Sequence, residues 1–490
     1  MGAVPQVVIA DRVVGAVLAS AAGDALGAGY EFGPALPDTE AILMKGGGAF
    51  RWAPGEWTDD TQMALAILRP PATGDKRVAA IEQGFREWFS ARPADVGSQT
   101  RAVLGRPGPL GEAAAAYQAG NPNGAGNGSL MRTGPVALGS LGDRTAIAER
   151  AAEISALTHP HADCVDACVL WSLAIDHAIA TAPGRGTYDW IASMREGLSA
   201  LPPDRRDRWS TLIDEAASES PRTFTNNGWV VHAFQAALAS IVHTPVPDEL
   251  PCRHLELALA AAVRCGNDTD TVAAIAGSLL GARWGATAVP SAWRRLIHGR
   301  ITNAKPAIAA SALDTMARLV LRGGQPDRIG WPGVGTLLPH YRATVGQRVV
   351  RVALADVANV VFGNVAALPQ ALRDGATVVI SMCRTGTDDV PASCDHEVVG
   401  LIDTTLEENP NLEFVLTDTA DAIHAARDRG RTVFVHCVAA EHRTPTIAAA
   451  YLIRHGGRSV NEAVGIVERE FRSRPRPMLL QGLAGVRPVR

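Results

Sequence analysis

Two runs of aspartate and threonine, far apart in the chain, constrain its fold more than any other feature. One run, GEWTDDTQMALAI, extends from Gly55 to Ile67, and the other, GNDTDTVAAIAGSLLGA, extends from Gly266 to Ala282. Each run places its acidic residues where an apolar, Ala-rich helix is predicted to begin. A single run of this kind would be interpreted as a helix N-cap, because Asp and Thr accept backbone N–H bonds there.

The occurrence of two such runs favours a metal site instead. If the two helix starts meet, four negative charges come to one place, from Asp59, Asp60, Asp268 and Asp270. That concentration of charge is tolerable only when cations neutralise it. Hard oxygen ligands suit Mg²⁺, Mn²⁺ or Ca²⁺ rather than zinc. The sequence therefore predicts a two-metal site built from both runs.

Length and composition limit the class of protein. A chain of 490 residues exceeds one ordinary core, which predicts two or three domains. A hydrophobic content of 47% with 20% charged residues is typical of a soluble globular protein. The formal net charge is −4 and no Lys/Arg-rich tract stands out, so we expect no nucleic-acid partner.

Targeting signals and cysteine usage point to one compartment. The first residues, MGAVPQVVIADRVV, lack a basic region followed by a long apolar stretch, so no signal peptide is predicted. No uninterrupted apolar run approaches the roughly 18–20 residues of a membrane span, and no membrane partner is expected. The 7 Cys are scattered without CxxC pairs, which fits a reducing compartment. We therefore expect a cytoplasmic protein.

The pattern of apolar residues along the chain changes near residue 300. Before it, apolar residues recur with helical spacing, and after it short β-branched runs alternate with helical segments. We predict an all-α domain over 1–320, a Gly- and Pro-rich linker over 321–345 and an α/β domain with a mostly parallel sheet over 346–490. The predicted helices are Asp11–Ala22, Asp60–Leu68, Val165–Ile179, Trp229–Ile241, Thr269–Trp284, Ala304–Leu321, Asn411–Asp428 and Arg443–Arg454, and the predicted strands are RVVRVAL, ATVVIS, EVVGLI and RTVFVH.

A series of motifs in the first part of the chain resembles the ADP-ribosylglycohydrolase family, that of the dinitrogenase reductase-activating glycohydrolase. The motifs are, in order, GAVLASAAGDALGAGYEF, GEWTDDTQMA, GNGSLMRTGPVAL, THPHADCVDAC, NNGWVVHAFQAAL and GNDTDTVAAIAGSLLGA, between about Val13 and Trp293. The resemblance implies an all-helical fold with a dinuclear Mg²⁺ or Mn²⁺ centre in an ADP-ribose cleft. The metal ligands that it implies are Thr58, Asp59, Asp60, Asp268, Asp270 and Thr271.

The same resemblance implies further site residues. Glu31 would be the base or a transient metal ligand, although most isolated Glu residues are solvated loop carboxylates. His159 would lie near the diphosphate, where the alternative is a structural histidine. Trp229 could stack on adenine or belong to the core, and Asp24 is left out of the catalytic set because it could be a helix-end hydrogen-bonding residue. The Gly-rich loop would contact ADP-ribose through Asn127, Gly128, Ser129 and Met131.

The run RTVFVHCVAAEHRTPTIAAAYL resembles the signature of the cysteine-dependent, dual-specificity phosphatases. It places Cys437 at a strand end and Arg443 six residues later, at the start of a helix. Loop amides and a helix N-terminus bind an oxyanion and favour a thiolate, and arginine binds phosphate bidentately. The resemblance implies that Cys437 is the nucleophile, that Thr444 assists its departure and that Asp403 is the general acid. It covers about Val349 to Phe471.

Two positions of this loop depart from the family. The residue three after Cys437 is usually Gly and is Ala440 here, where a Cβ would strain an unusual backbone conformation. Glu441 adds a negative charge to a loop that binds phosphate. Because Cys-x5-Arg is common by chance, a buried strand-end cysteine remains an alternative.

Three functions stay open at this point. The first is a bifunctional enzyme that removes ADP-ribose from a modified protein or a small ADP-ribosyl substrate and hydrolyses a phosphate monoester. The second is a hydrolase whose phosphatase-like module is inactive and binds a phosphorylated partner. The third is an enzyme in which both domains act on small nucleotides derived from ADP-ribose.

Overall fold

The computed structural model describes residues 4–69, 75–182, 188–302, 306–346, 348–355 and 357–489. The chain forms two compact units. The first contains the residues as far as Pro247 together with Arg253–Val289 and Leu296–Gln325. The second contains Asp248–Cys252, Pro290–Arg295 and the residues from Pro326 onwards.

The part of the chain before residue 325 is helical, as predicted, with one short antiparallel pair of strands. The pair is β1 (His298–Gly299) and β2 (Ile308–Ala309). The helices are α1 (Gln6–Gly27), α2 (Asp59–Leu68), α3 (Asp75–Ser90), α4 (Ser98–Leu104), α5 (Leu110–Gly120), α6 (Arg144–Ala156), α7 (Ala162–Ala180), α8 (Trp190–Glu196), α9 (Pro203–Ser218), α10 (Val230–Val242), α11 (His254–Val263), α12 (Thr269–Trp284), α13 (Ser291–Leu296) and α14 (Ala310–Leu321).

The packing of α1 against α12 forms the centre of the first unit and positions its site. The two backbones approach so closely at Gly15 and Gly281 that a Cβ on either residue would overlap the other helix. Small residues therefore allow this contact, which larger side chains would prevent. At the other end of the crossing, Thr269 Oγ1 donates to the Gly27 carbonyl oxygen at 2.9 Å. The end of α1 is thus fixed against the acidic start of α12.

Helix α1 has the length and composition of a membrane-crossing helix, with a mean hydropathy of 1.4 over its most apolar window. However, 67% of that window is buried inside the structure. The helix also carries Asp11 and Arg12, and Arg12 donates to the carbonyl oxygen of Ile179 at 3.0 Å. A helix that is apolar on nearly all sides and packed within a helical unit is typical of a protein core.

The second unit contains a five-stranded sheet with the order β3-β4-β7-β5-β6. Strand β3 pairs antiparallel with β4, and the other pairs are parallel, as predicted. The strands are β3 (Arg351–Val352), β4 (Val360–Asn364), β5 (Val378–Ser381), β6 (Asp395–Val398) and β7 (Val433–Cys437). The helices are α15 (Leu338–Val345), α16 (Leu368–Arg373), α17 (Leu412–Asp428), α18 (Arg443–Arg454), α19 (Val460–Phe471) and α20 (Pro477–Leu483).

Alternate side chains of β7 belong to two different hydrophobic clusters. Val433 and Val435 pack with residues of α17, α18 and α19. Phe434 packs with Leu368 and Ala371 of α16 and with Leu338 of α15. Because successive side chains of a strand point to opposite faces, the sheet is covered by helices on both sides. This burial fixes the end of β7, where Cys437 lies.

Two strand predictions are wrong in detail and one strand was missed. RVVRVAL was expected to be a strand throughout, but β3 contains only Arg351–Val352. EVVGLI was expected to be a strand throughout, but β6 begins at Asp395 and ends at Val398. Among the described strands its partner is β5, which ends at Ser381 opposite Val398, so the ladder stops there. Strand β4 was not predicted, although its sequence, VVFGN, begins with an apolar run.

Candidate active sites

In the first unit, α2 begins at the site because Asp24 of α1 holds its N-terminus. The Asp24 carboxylate accepts hydrogen bonds from Thr58 N at 2.8 Å, Thr61 N at 3.0 Å and Thr61 Oγ1 at 2.6 Å. Thr58 is the N-cap residue of α2, and its own side chain makes no capping bond. Asp24 therefore supplies the cap from another helix, which fits the helix-end role that the sequence left open.

The two Asp/Thr runs meet at the helix starts, as the sequence predicted. Carboxylate oxygens of Asp24, Asp60 and Asp270 lie within 4.8 Å of one another, as do those of Glu31, Asp268 and Asp270. Thr58 Oγ1 lies 3.2 Å from Asp60 Oδ2 and 3.4 Å from Asp270 Oδ2.

The predicted metal ligands thus form one group of oxygen atoms. Thr271 Oγ1 lies 3.4 Å from Asp60 Oδ2, which joins the threonine of α12 to the aspartate of α2. Asp59 is buried beside Asp60 at the start of α2. The structure therefore brings together Thr58, Asp59, Asp60, Asp268, Asp270 and Thr271, with Glu31 beside them.

This group carries negative charges that the described protein residues do not neutralise. Burial raises the pKa of Asp59, Asp60 and Asp270 well above its usual range, and neighbouring carboxylates raise it further. Burial, followed by the charges of Asp95 and Asp268, raises the pKa of Glu31 to about 9. Asp60 Oδ1 and Glu31 Oε2 are buried and have no hydrogen-bond partner among the described atoms. Such an environment favours a bound cation.

Asp95 is a site residue that the sequence analysis missed. Its charge is among the causes that raise the pKa of Glu31 and Asp59, so it lies at the same cluster. Burial, and then Asp268, raises the pKa of Asp95 itself to about 6. It lies in the loop before α4, outside every motif that carries the family resemblance, so no local pattern distinguished it from a solvated aspartate.

The Gly-rich loop lies against the acidic cluster. Asn127 Nδ2 donates to Asp268 Oδ2 at 2.7 Å and to the Asn227 carbonyl oxygen at 2.8 Å. Ser129 Oγ accepts a bond from Ser155 Oγ at 2.9 Å, so its hydroxyl is engaged inside the protein. Met131 is buried as well. Asn127 therefore orients Asp268, whereas the Ser129 and Met131 side chains support the loop.

His159 lies beneath this loop, and burial lowers its pKa to about 3, so the imidazole is neutral. A Cβ on Gly128 would lie 3.1 Å from His159 Nε2, which shows how closely the loop covers the ring. Arg132 donates to Thr158 Oγ1 at 2.6 Å, and that hydroxyl lies 2.7 Å from His159 Nδ1. One arrangement that satisfies both contacts has the Thr158 hydroxyl donating to Nδ1 and the ring proton of His159 on Nε2.

Trp229 lines a cavity of about 550 Å³ beside the Gly-rich loop. Other residues of its wall are Asn123, Gly126, His161 and Asn226. Gly126 and Trp229 also form a β-bridge, which fixes the loop to the start of α10. Trp229 therefore lies at a cavity and not in the core. This position is compatible with the interpretation that it stacks on adenine.

In the second unit, Cys437 ends β7 and the following loop turns back over its sulfur. Ala440 N donates to Cys437 Sγ at 3.3 Å. Ala440 has φ 60°, the left-handed conformation that the family fills with glycine. The expected strain at Ala440 is therefore present. Glu441 is exposed, so its charge does not point into the loop.

Arg443 and Asp403, both predicted site residues, contact each other. Arg443 Nε lies 3.4 Å from Asp403 Oδ2, and an Arg443 terminal nitrogen donates to the Met382 carbonyl oxygen. Thr444 Oγ1 donates to the Gly363 carbonyl oxygen at 3.1 Å. In this arrangement the Thr444 hydroxyl is directed towards β4 and not to the Cys437 sulfur, so its assistance to the thiolate stays a prediction.

Comparison with known proteins confirms both family resemblances. The profile of the ADP-ribosylglycohydrolase family matches residues 5–329, and that of the dual specificity phosphatase catalytic domain matches residues 378–483. The ADP-ribosyl-(dinitrogen reductase) glycohydrolase of Rhodospirillum rubrum is 33% identical over 288 residues, 58% of this chain and 89% of that protein. The ADP-ribosylarginine hydrolase Tri1 of Pseudomonas putida (strain GB-1) is 30% identical over 294 residues, 58% of this chain and 73% of that protein.

The C-terminal region has its own relative. The dual specificity protein phosphatase 1 of Arabidopsis thaliana is 32% identical over 74 residues, which are 15% of this chain and 37% of that protein. The helical first unit, its acidic cluster and the extent of the first family match lead to one assignment. The chain belongs to the ADP-ribosylglycohydrolase family of hydrolases and carries a dual-specificity-phosphatase-like domain at its C-terminal side.

Proposed function

We propose that the first unit is a metal-dependent hydrolase that releases ADP-ribose from a modified protein or a related ADP-ribosyl conjugate. The observation that carries this proposal is the buried group of carboxylate and threonine oxygens formed by the starts of α2 and α12. Its oxygen-only composition suits Mg²⁺ or Mn²⁺. The unpartnered atoms Asp60 Oδ1 and Glu31 Oε2 offer ligand positions that the described protein atoms leave free.

The ligands of two such ions would be Thr58, Asp59, Asp60, Asp268, Asp270 and Thr271. When bound, these ions act as Lewis acids that bind ribose hydroxyls and activate a water. Glu31 is the base that takes a proton from the attacking water, since its carboxylate lies beside Asp268 and Asp270. The oxygen of that water bonds to the anomeric carbon as the bond from this carbon to the acceptor atom breaks. The acceptor atom keeps the electron pair of the broken bond and takes up the proton that Glu31 accepted, while the carboxylates stabilise the positive charge that develops on the ribose.

The neighbouring residues hold the substrate and the ligands. Asn127 keeps Asp268 in place through its amide. His159 presents an N–H from a neutral ring, so it orients a phosphate oxygen by hydrogen bonding and does not add positive charge. Asp24 keeps the start of α2 in register with α12. These contacts preorganise the cleft before ADP-ribose binds.

The acceptor group is proposed to be an arginine side chain of a protein. The arginine is supported by one relative, an ADP-ribosylarginine hydrolase, and the protein acceptor by another, a glycohydrolase of ADP-ribosyl-dinitrogen reductase. The test is release of ADP-ribose from defined arginine-linked and serine-linked peptides by purified protein with Mg²⁺ or Mn²⁺. Full release by metal-free protein, verified by elemental analysis, would exclude the two-metal proposal.

For the second unit we propose hydrolysis of a phosphate monoester. The Cys437 thiolate attacks phosphorus, and the ester oxygen leaves with a proton from Asp403. Water then attacks the phosphocysteine and gives a proton to Asp403, which releases inorganic phosphate and restores the Cys437 thiolate. Support comes from the Ala440 N–H that points to the sulfur and from Arg443 and Asp403 near the loop.

A second candidate for this unit is a binding module for a phosphorylated partner. It is favoured by the left-handed Ala440 and by the ion pair that occupies both Arg443 and Asp403. Hydrolysis of a chromogenic aryl phosphate separates the two candidates. Activity that is lost in Cys437→Ser supports the enzyme, whereas phosphopeptide binding without turnover supports the module.

Two further proposals concern the chain as a whole. We propose that the two domains are residues 1–320 and 346–490, joined by a linker over 321–345. A shortened protein that ends at the first domain should keep its hydrolase activity. The cytoplasm, without nucleic-acid or membrane partners, remains the proposed location. Fractionation of cells that produce the full chain is the direct test of that location.

A further inference from the structure

Phe32 combines three properties that packing alone does not explain. It directly follows Glu31, its side chain is 64% exposed, and its backbone has φ 61°. The left-handed conformation is unfavourable for a bulky residue. An exposed phenyl ring buries little apolar surface, so folding gains little in return. A strained residue at a binding cleft is a reason to look for a function.

The backbone of Phe32 is fixed at the acidic cluster. Phe32 N donates to the Asn267 carbonyl oxygen at 2.6 Å, and Gly33 forms a β-bridge with Asn267. Asn267 immediately precedes Asp268. The segment that carries Glu31 and Phe32 is therefore attached to the start of α12. The Phe32 ring consequently stands at the edge of the reaction centre.

Phe32 is the outer member of an aromatic row with Phe50 and Trp52. The ring centroids of Phe32 and Phe50 are 6.3 Å apart at 62°, and those of Phe50 and Trp52 are 5.8 Å apart at 51°. The row changes from exposed to buried along its length, since Trp52 is 7% exposed. These separations are within the range of favourable edge-to-face contacts.

A glycine-rich turn brings the row to the end of α1. At Gly48, which has φ 69°, a Cβ would lie 2.7 Å from the Ala28 carbonyl oxygen. Gly47 and Trp52 pair through two backbone hydrogen bonds of 2.7 and 2.9 Å. The turn can approach α1 only because this residue is glycine. Its consequence is that Phe50 lies against Phe32, with Trp52 next to Phe50.

The inner end of the row opens on a cavity of about 370 Å³. Its wall includes Trp52, Glu56 and Ala94, and Ala94 precedes the cluster residue Asp95. Glu56 Oε2 accepts a bond from Ala53 N at 2.8 Å, which fixes the orientation of this carboxylate. The cavity thus adjoins two segments that also supply residues to the acidic cluster.

We propose that the aromatic row is the subsite for the acceptor side chain and that it takes a planar cation of the guanidinium class. This inference rests on the proposed function. The row lies beside the acidic cluster, and an acidic surrounding favours a cationic leaving group over an anionic one.

Aromatic faces suit this cation because a guanidinium stacks on them. The same loop already holds one cation on a ring, since Lys45 Nζ lies 3.7 Å from the Tyr30 centroid. Tyr30 is thereby occupied, whereas the exposed ring of Phe32 is open. The row would select the leaving group, while the acidic cluster acts on the ribose.

The test uses Phe32→Gly, with Phe32→Tyr as the conservative variant and Leu43→Ala as the matched control. Leu43 is a similarly exposed apolar residue, 63% exposed, that is not a member of the row. Each full-length variant is assayed on the same peptide carrying ADP-ribose on arginine or on serine. We expect Phe32→Gly to lower kcat/KM for the arginine-linked peptide about tenfold and to leave the serine-linked peptide unchanged.

Two comparisons separate recognition from a structural role. Phe32→Tyr should keep kcat/KM for the arginine-linked peptide within about threefold, because a tyrosine ring still offers its face. Phe32→Gly should also raise Tm slightly, because glycine relieves the left-handed strain. Leu43→Ala should change neither substrate. Equal losses on both peptides, or no loss on the arginine-linked peptide, would overturn the subsite.

The same experiment separates this inference from the proposed function. If wild-type protein with Mg²⁺ or Mn²⁺ releases ADP-ribose from neither peptide, the proposed function is rejected. The affinities of the two peptides, measured by calorimetry, then decide the subsite. A loss confined to the arginine-linked peptide in Phe32→Gly supports it, and equal affinities of wild type and variant overturn it.

Discussion

The acidic cluster and the loop from Cys437 to Arg443, here called the phosphate loop, have opposite electrostatic character. The cluster gathers carboxylates from α1, α2, α12 and two loops, and burial raises the pKa of its central aspartates. The loop gathers donors from one continuous segment, with Ala440 N directed at the Cys437 sulfur and Arg443 at the start of α18. The first arrangement suits a cation, and the second suits an anion.

The two sites also differ in the kind of unfavourable energy that each contains. The cluster stores it as repulsion between buried like charges, which a bound ion would remove. The loop stores it as backbone strain at Ala440, which a ligand does not remove. The substitutions that release each cost are therefore of different kinds, and they give separable tests.

The largest effect is expected for Cys437→Ser, which removes the proposed nucleophile. Phosphatase activity on an aryl phosphate should fall by at least about a thousandfold, because the alcohol of serine is far less nucleophilic than a thiolate. Release of ADP-ribose by the same full-length variant should be unchanged and serves as the control. Equal phosphatase activity in wild type and variant would show that Cys437 is not the nucleophile.

The next largest effect is expected for Asp270→Asn. Release of ADP-ribose should fall at least about a hundredfold, since a proposed metal ligand loses its charge. The metal-free variant should unfold at a higher temperature than metal-free wild type, because one of the repelling carboxylates is gone. Added Mn²⁺ should stabilise wild type more than the variant. Equal stabilisation of both by Mn²⁺ would contradict the assignment of Asp270 as a ligand.

The two sites also differ in how much of each could be predicted from the sequence. The phosphate loop is contiguous, so its spacing from Cys437 to Arg443 and the departure at Ala440 were visible directly. The two Asp/Thr runs predicted the acidic cluster because each run lies at a helix start. In contrast, the position of Asp95 at the cluster depends on the path of an irregular loop. No local sequence period or motif spacing predicts that path.

The fold shows the same limit. Helix α12 and helix α18 were predicted with the bounds that they have, Thr269–Trp284 and Arg443–Arg454. Apolar positions recur with a helical period in α18, and α12 is an Ala-rich apolar run too long for a strand. Strand β4 was missed, and the end of β6 was wrong, because strand limits depend on the partner strand. The ring of Phe32 gave no signal either, since its left-handed backbone is fixed by the distant Asn267.

A smaller effect is expected for Asp24→Asn, which tests the cluster through its support. Asp24 accepts three hydrogen bonds from the start of α2, and the amide has only one acceptor oxygen. Affinity for Mn²⁺ should fall about tenfold, in the range seen when a residue that orients metal ligands is changed. Excess Mn²⁺ should then restore release of ADP-ribose to near the wild-type rate. Failure of excess metal to restore it would show that Asp24 contributes more than positioning.

The smallest effect is expected for Ala440→Gly, which tests the strain in the phosphate loop. Glycine adopts φ 60° without the steric cost that alanine carries, so unfolding of the second unit should require about 1 kcal/mol more free energy. The gain is partly offset because glycine is more flexible in the unfolded chain. Ala439→Gly, at a half-buried position in the same loop, is the matched control and should destabilise slightly, because residue 439 has no left-handed backbone to relieve. If strain also displaces the loop amides from a bound phosphate, Ala440→Gly should raise phosphatase activity a few-fold. Greater stability without any phosphatase activity would instead favour the binding module.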